Sequence, residues 1–170
     1  MATVLDRFRV EELVSWRFRN DLDEDDPVDD YSKPHTINLA EGEGANQAEV
    51  PFRKQYTIAG GATQIIDLSG ALAGSFGTTV VGTKLKFCRV INASTTAAIV
   101  RLESDGTSGH IGMFKAEGDG VQIPPGGKFS WGGPTAAGAA ITAATGDLLN
   151  IVNEDGALEA IVFVELAFTV

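Results

Sequence analysis

From Phe52 onward the chain never sustains a 3.6-residue apolar period. Short runs rich in Val, Ile, Thr and Phe instead alternate with clusters of glycine, asparagine and aspartate, the punctuation of strands and turns. A period of two is clearest at the end. There Leu158, Ala160, Val162, Val164, Leu166, Phe168 and Val170 fall on one face of an extended strand, with Glu159 and Glu165 on the other. Such a strand must lie centrally against a core. Ile161 and Phe163 imply that its second face is also partly covered, by the N-terminal chain or by a neighbouring subunit.

The pattern predicts strands at Phe52 to Ile58, Thr63 to Leu68, Lys84 to Ile91, Ala97 to Glu103, Ile111 to Lys115, Lys128 to Trp131, Ala139 to Ala143, Leu148 to Val152 and Ala157 to Val170. Asn153-Glu-Asp-Gly156 reads as a hairpin joining the last two, because Asp-Gly between apolar runs supplies a positive φ without strain. A second hairpin is expected at Asn92-Ala-Ser-Thr-Thr96. Pro124-Pro-Gly-Gly127 should terminate pairing, since proline lacks the ladder donor. Residues 70–83 and 132–138 read as small-residue loops suited to close approach of a neighbouring backbone. Many short strands with frequent turns favour an antiparallel β-sandwich or jelly-roll-like domain over any α/β arrangement.

Charge sets residues 1–50 apart. They hold thirteen acidic against five basic residues, a net of −8 out of −10 for all 170 residues, and only two of the 20 glycines. The expected organisation is an extended acidic N-terminal arm over 1–50 and a β domain over 51–170. Seven of the ten residues from Asp21 to Asp30 are acidic, and a block of like charge resists compaction until cations or a basic surface meet it. Upstream, Leu5, Phe8, Leu13 and Trp16 suit one face of a helix, while Val14, Trp16 and Phe18 alternate as in a strand. Both readings stand. Phe8, Trp16 and Phe18 are costly to expose, so they are the candidate partner-binding residues; docking on the chain's own sheet is the equal alternative.

Chemical motifs fail in turn. Asp21 to Asp25 imitates the start of an EF-hand, but the sixth position is Asp26 instead of glycine and the twelfth is Ser32 instead of glutamate. His35 and His110 read as surface or loop histidines without a triad or metal context, and Cys88 as a small structural side chain in mid-strand. Gly118-Asp-Gly120 and Pro125-Gly-Gly-Lys128 lack Walker spacing and read as turns, and the sequon Asn92-Ala-Ser94 equally describes a turn. No catalytic residue, cofactor site or metal site is assigned, and the chain is read as a non-enzyme. Thirteen basic residues against a net of −10 argue against nucleic acid as a partner. Charges through the first twenty residues and the lack of any 18-residue apolar run argue against a signal peptide and a membrane span.

Residues 56–68, Val90 to Ala98, Ile123 to Gly127 and Asp147 to Asn153 resemble, in strand and turn texture, the small all-β virion proteins of tailed bacteriophages, in particular capsid decoration or cement proteins. The resemblance covers about residues 52–170 and carries over no site residue. It implies a virion location on the capsid surface, homo-oligomers that are often trimers, the major capsid protein as partner, and terminal arms reaching across neighbouring capsomers. A tail, baseplate or receptor-binding module is the alternative. A cupin-like enzyme would need a histidine-rich metal set that two distant histidines do not supply.

Overall fold

The computed structural model describes residues 7–19, 28–70, 72–74 and 79–170. Every regular element among them is a strand: β1 (Phe8–Arg19), β2 (Val28–Glu41), β3 (Gln47–Ala48), β4 (Val50–Ile58), β5 (Thr63–Asp67), β6 (Leu72–Ala73), β7 (Thr79–Val80), β8 (Lys84–Asn92), β9 (Val100–Ser104), β10 (Gly120–Ile123), β11 (Lys128–Gly132), β12 (Ala139–Ala140), β13 (Leu148–Asn153) and β14 (Ala160–Thr169). Two antiparallel sheets stack on each other. One has the order β11-β8-β14-β4, with β12 on the end of β8, and the other β10-β9-β13-β5.

Through β4, β5, β8, β9, β10, β11, β13 and β14 the chain changes sheet at every step except β9 to β10. This is the winding of an eight-stranded jelly roll, and it corrects both expected hairpins. β8 and β9 lie in different sheets, as do β13 and β14, and β14 pairs instead with β4 and β8. The physical reason lies in two asparagines. Asn153, fully buried, donates its amide to the carbonyls of Ile58, Ala59 and Leu158. Asn92, also fully buried, donates to Ala98 and Ile123 and accepts from the Ser94 backbone and hydroxyl. Each satisfies the polar backbone of an arch that leaves the ladder, so no tight turn is needed. Gly156 accordingly does not adopt a positive φ, whereas Gly61, Gly118 and Gly126 do. The sequon asparagine is thus a core residue.

Alternation holds in β14, where Ala160, Val162, Val164, Leu166 and Phe168 are buried in the core with Phe52, Ile66, Leu85, Val90, Leu102 and Ile151. Three strand assignments need correction. Residues 111–115 form turns, with the Phe114 amide bonded to the Ile111 carbonyl, and Phe114 stacks on Phe129 at 6.4 Å. Met113 and Phe114 pack against the core from this turn, while Ile111 is exposed. The strand expected over 139–143 shrinks to β12, and β10, which the pattern did not mark, completes the second sheet. Within 70–83, β6 pairs with β7, and Gly82 is held so closely that an added Cβ would lie 2.6 Å from the Phe168 ring.

The two readings of the arm resolve in favour of strand. β1 and β2 form an antiparallel ribbon from Phe8 opposite Leu39 to Arg19 opposite Val28. Its root is built into the body: Phe8, Val10, Ile37, Leu39 and Ala48 pack with Phe87 and Ala167 on the outer face of the first sheet. β4 runs through Pro51 without a break, paired with β14 from Val50 onward, and Ala48 before it packs on the body. Residues 20–27, most of the acidic block, lie outside the described residues.

Candidate functional site: the ribbon arm and its root

The root is placed by three local devices. A register shift in the β14–β8 ladder, between Ala167 opposite Phe87 and Phe168 opposite Leu85, leaves Lys86 as the extra residue of a bulge. Its side chain is fully buried, and its ammonium donates to the carbonyls of Thr135 at 2.7 Å, Ala136 at 3.1 Å, Gly44 at 3.3 Å and Glu43 at 3.4 Å. Burial, reinforced by the neighbouring Lys84 charge, pushes the Lys86 pKa down. No carboxylate faces it among the described residues; carbonyl dipoles alone hold the charge. One ammonium thereby ties the turn after β2 and the loop after β11 to the sheet.

The second device is Gly132. A Cβ there would come within 2.6 Å of Ile37 Cδ1, so Gly132 gives the Ile37 side chain room to settle against β11. The third is Glu12, the last described contact as β1 leaves the body. It is paired with Lys128 at 3.0 Å and accepts from the Ser130 hydroxyl at 2.9 Å. The Lys128 ammonium holds its carboxyl below the usual range against the opposing effect of burial, with Ser130 adding in the same direction. Val10, Glu12, His35, Ile37, Phe87, Ser130, Trp131 and Gly132 line a cleft of about 130 Å³ between ribbon and sheet.

Beyond Glu12 the ribbon stands clear. Leu13 is 65% exposed, and Ser15 and residues 32–34 are exposed, so the described side chains beyond Glu12 face solvent. Phe8, Trp16 and Phe18 therefore separate. Phe8 is half-buried with its ring centroid 5.2 Å from that of Phe87, which makes it a root residue docked on the chain's own sheet. Trp16 and Phe18 occupy positions opposite Tyr31 and Asp29 in the distal ladder; their side chains lie outside the described residues.

The first sheet is covered only in part. Beside the root, Ile91, Ile161 and Phe163 are half-buried, Arg53 lies 5.7 Å above the Phe163 ring, and Glu165 joins Arg53 and Arg89. An apolar strip with basic edges thus adjoins the base of the arm.

Sequence reasoning missed Lys86, whose one signal is a lysine between Leu85 and Phe87 in an otherwise apolar strand. His110 lies in a loop, as expected, but is only 1% exposed, with Nδ1 3.2 Å from the Gly146 carbonyl; desolvation lowers its pKa. Cys88 is fully buried, and burial pushes its thiol up to about 12. Among the described residues no three His, Cys, Asp or Glu side chains converge on a metal position. No family model matches the chain, and no curated protein or solved structure is significantly similar to it.

Proposed function

We propose that the protein is a structural virion component, a capsid decoration protein that seats its jelly roll on a phage head and uses the ribbon to clamp neighbouring copies of the major capsid protein. The observation that supports this most is the ribbon: seven of its twelve ladder pairs lie beyond Glu12, while its root is fixed by Phe87, Lys86 and Lys128. A reach of about 23 Å, from roughly 3.3 Å per strand residue, is enough to cross onto a neighbouring subunit. Double-sheet jelly rolls recur in capsid and lectin proteins, which makes the body compatible with the role without specifying it. The strip of Ile91, Ile161 and Phe163 suits contact between copies of this chain, in keeping with a trimer.

Aromatic anchors at a well-packed contact are worth ~2 kcal/mol or more each, and display of many copies on a particle multiplies this through effective concentration. The test compares binding of two chains to purified heads: the full chain, and one in which residues 15–32 are replaced by a two-residue Asn-Gly turn joining Val14 to Lys33. The shortened ribbon keeps its root, so the body should fold while occupancy falls at least tenfold. Equal occupancy would remove the arm from the clamp, and binding to host cells in place of heads would favour a receptor-binding module.

A further inference from the structure

We infer that Asp67, Ser69 and Asp147 form a site for a divalent cation, with calcium the ion their oxygens suit. Sheet register creates the juxtaposition. Asp67 closes β5 opposite Leu148, Asp147 immediately precedes β13, and the Leu68 amide bonds to the Asp147 carbonyl at 2.8 Å. The Asp147 side chain is 97% buried on the chain's own surface, with 3% exposure. Its Oδ2 accepts from the Ala144 amide at 2.9 Å and from the Ser69 hydroxyl, but Oδ1 is buried with no partner among the described residues.

The Ser69 hydroxyl also lies 3.3 Å from Asp67 Oδ1, which already accepts from the amides of Ser69 at 3.1 Å and Gly70 at 2.6 Å. A hydroxyl has one proton, and the closer Asp147 takes it. The contact with Asp67 then sets oxygen lone pairs against each other, next to a second carboxylate. Among the described residues no Lys or Arg forms an ion pair with either aspartate. The buried His110 imidazole lies close enough to feel the Asp147 charge, but desolvation lowers its pKa and keeps it toward the neutral form. Two carboxylates, one buried oxygen lacking a partner and a shared hydroxyl are then left for a cation to resolve. The donors are all oxygen, which selects hard ions over zinc or copper, and their spread over two loops suits the loose geometry of calcium better than the strict octahedron of magnesium. Waters would complete the shell.

Two protein carboxylates place the affinity in the weak extracellular class, Kd about 10⁻⁴–10⁻³ M. Calorimetric titration of the full chain with CaCl2 and with MgCl2, and thermal melts at constant ionic strength in ~10 mM of either salt, roughly ten times the weaker end of that range, test the site. Expected are a calcium isotherm of one site, a higher melting temperature in calcium than in magnesium, and at least tenfold weaker binding by Asp67→Asn. Asp67 is exposed, so that variant should fold; Ser69→Ala provides a second. Uptake by the acidic block at 21–30 is common to all three chains and cancels in the comparison. Calcium heats and melts identical in wild type and Asp67→Asn, or no calcium effect in either, would overturn the site and leave a water at Asp147 Oδ1.

Discussion

Leu39→Ala measures whether the ribbon's root is part of the folded body. Leu39 is 1% exposed and packs with Val10, Ala48, Phe87 and Ala167 on the outer face of the first sheet. Removing three carbons forfeits about 2.4 kcal/mol of transfer free energy at ~0.8 kcal/mol per methylene-sized group. A residual cavity adds to this in a rigid core, and buried Leu→Ala changes span about 2–5 kcal/mol. The site lies under a two-stranded ribbon that can settle into the gap, so about 2–3 kcal/mol is expected. For a chain of this size that is a fall in melting temperature of roughly 4–12 °C, at 2–4 °C per kcal/mol. The assay is thermal and urea unfolding followed by Trp131, which lines the cleft between ribbon and sheet, in a Trp16→Phe background so that Trp131 alone reports. Leu13→Ala, at a site 65% exposed, is the control and should stay within about 0.5 kcal/mol of wild type. If Leu39→Ala melts like wild type by Trp131, the root separates before the sandwich unfolds, and the cover over Phe87 contributes nothing to the global stability.

Lys86→Met keeps an unbranched apolar stem but withdraws the donor from four carbonyls; a loss of about 2 kcal/mol is expected, with faster proteolysis in 42–46 and 133–138, and unchanged cleavage there would refute the latch. Cys88, fully buried with its thiol pushed up to about 12, should resist a maleimide at neutral pH until the protein is unfolded, read by mass spectrometry. Glu12 has a folded pKa below its ordinary value, so its pairing supports the ribbon above the unfolded value and is lost as pH falls through the lowered one. Protease sensitivity of the ribbon should therefore rise below about pH 4, and Glu12→Gln should be sensitive already at neutral pH.

The strands were legible where one face meets the core. Val162, Val164, Leu166 and Phe168 alternate in sequence and are buried in the structure, because a strand of period two has only one way to bury them. Connectivity was not legible. Asp155-Gly156 carries a hairpin signal, yet the outcome turns on the side chain of Asn153, which reaches three carbonyls, Ile58 and Ala59 among them, about 95 residues away in sequence. Long-range side-chain bonds leave no local period to detect. The same holds for Lys86, whose acceptors come from two separate loops, and for Asp147, an acidic residue among several until β13 sets it beside the end of β5. Met113 and Phe114 misled for the opposite reason: a turn can pack apolar side chains against the core as a strand does, whereas Ile111 is 50% exposed and its apolar character marks no burial at all.

For the proposed clamp, the root decides what the ribbon can deliver. A free two-stranded ribbon is at best marginally stable in water, and one that must order on contact loses much of its binding energy to that ordering. Here the ladder is nucleated at Phe8 opposite Leu39, and each further pair adds to an existing edge instead of closing a new loop. The distal pairs therefore start close to their bound geometry, while the seven acidic residues at 21–30 repel one another until a basic surface neutralises them. Affinity should then fall with salt through the tip, whereas loss of the root by Leu39→Ala should weaken attachment at every salt concentration. Binding curves of the two chains on purified heads, at low and high salt, separate these contributions. Parallel salt slopes at a constant offset would bear out the division between an electrostatic tip and an apolar root; a slope that collapses in Leu39→Ala would show that the tip acts only through the root.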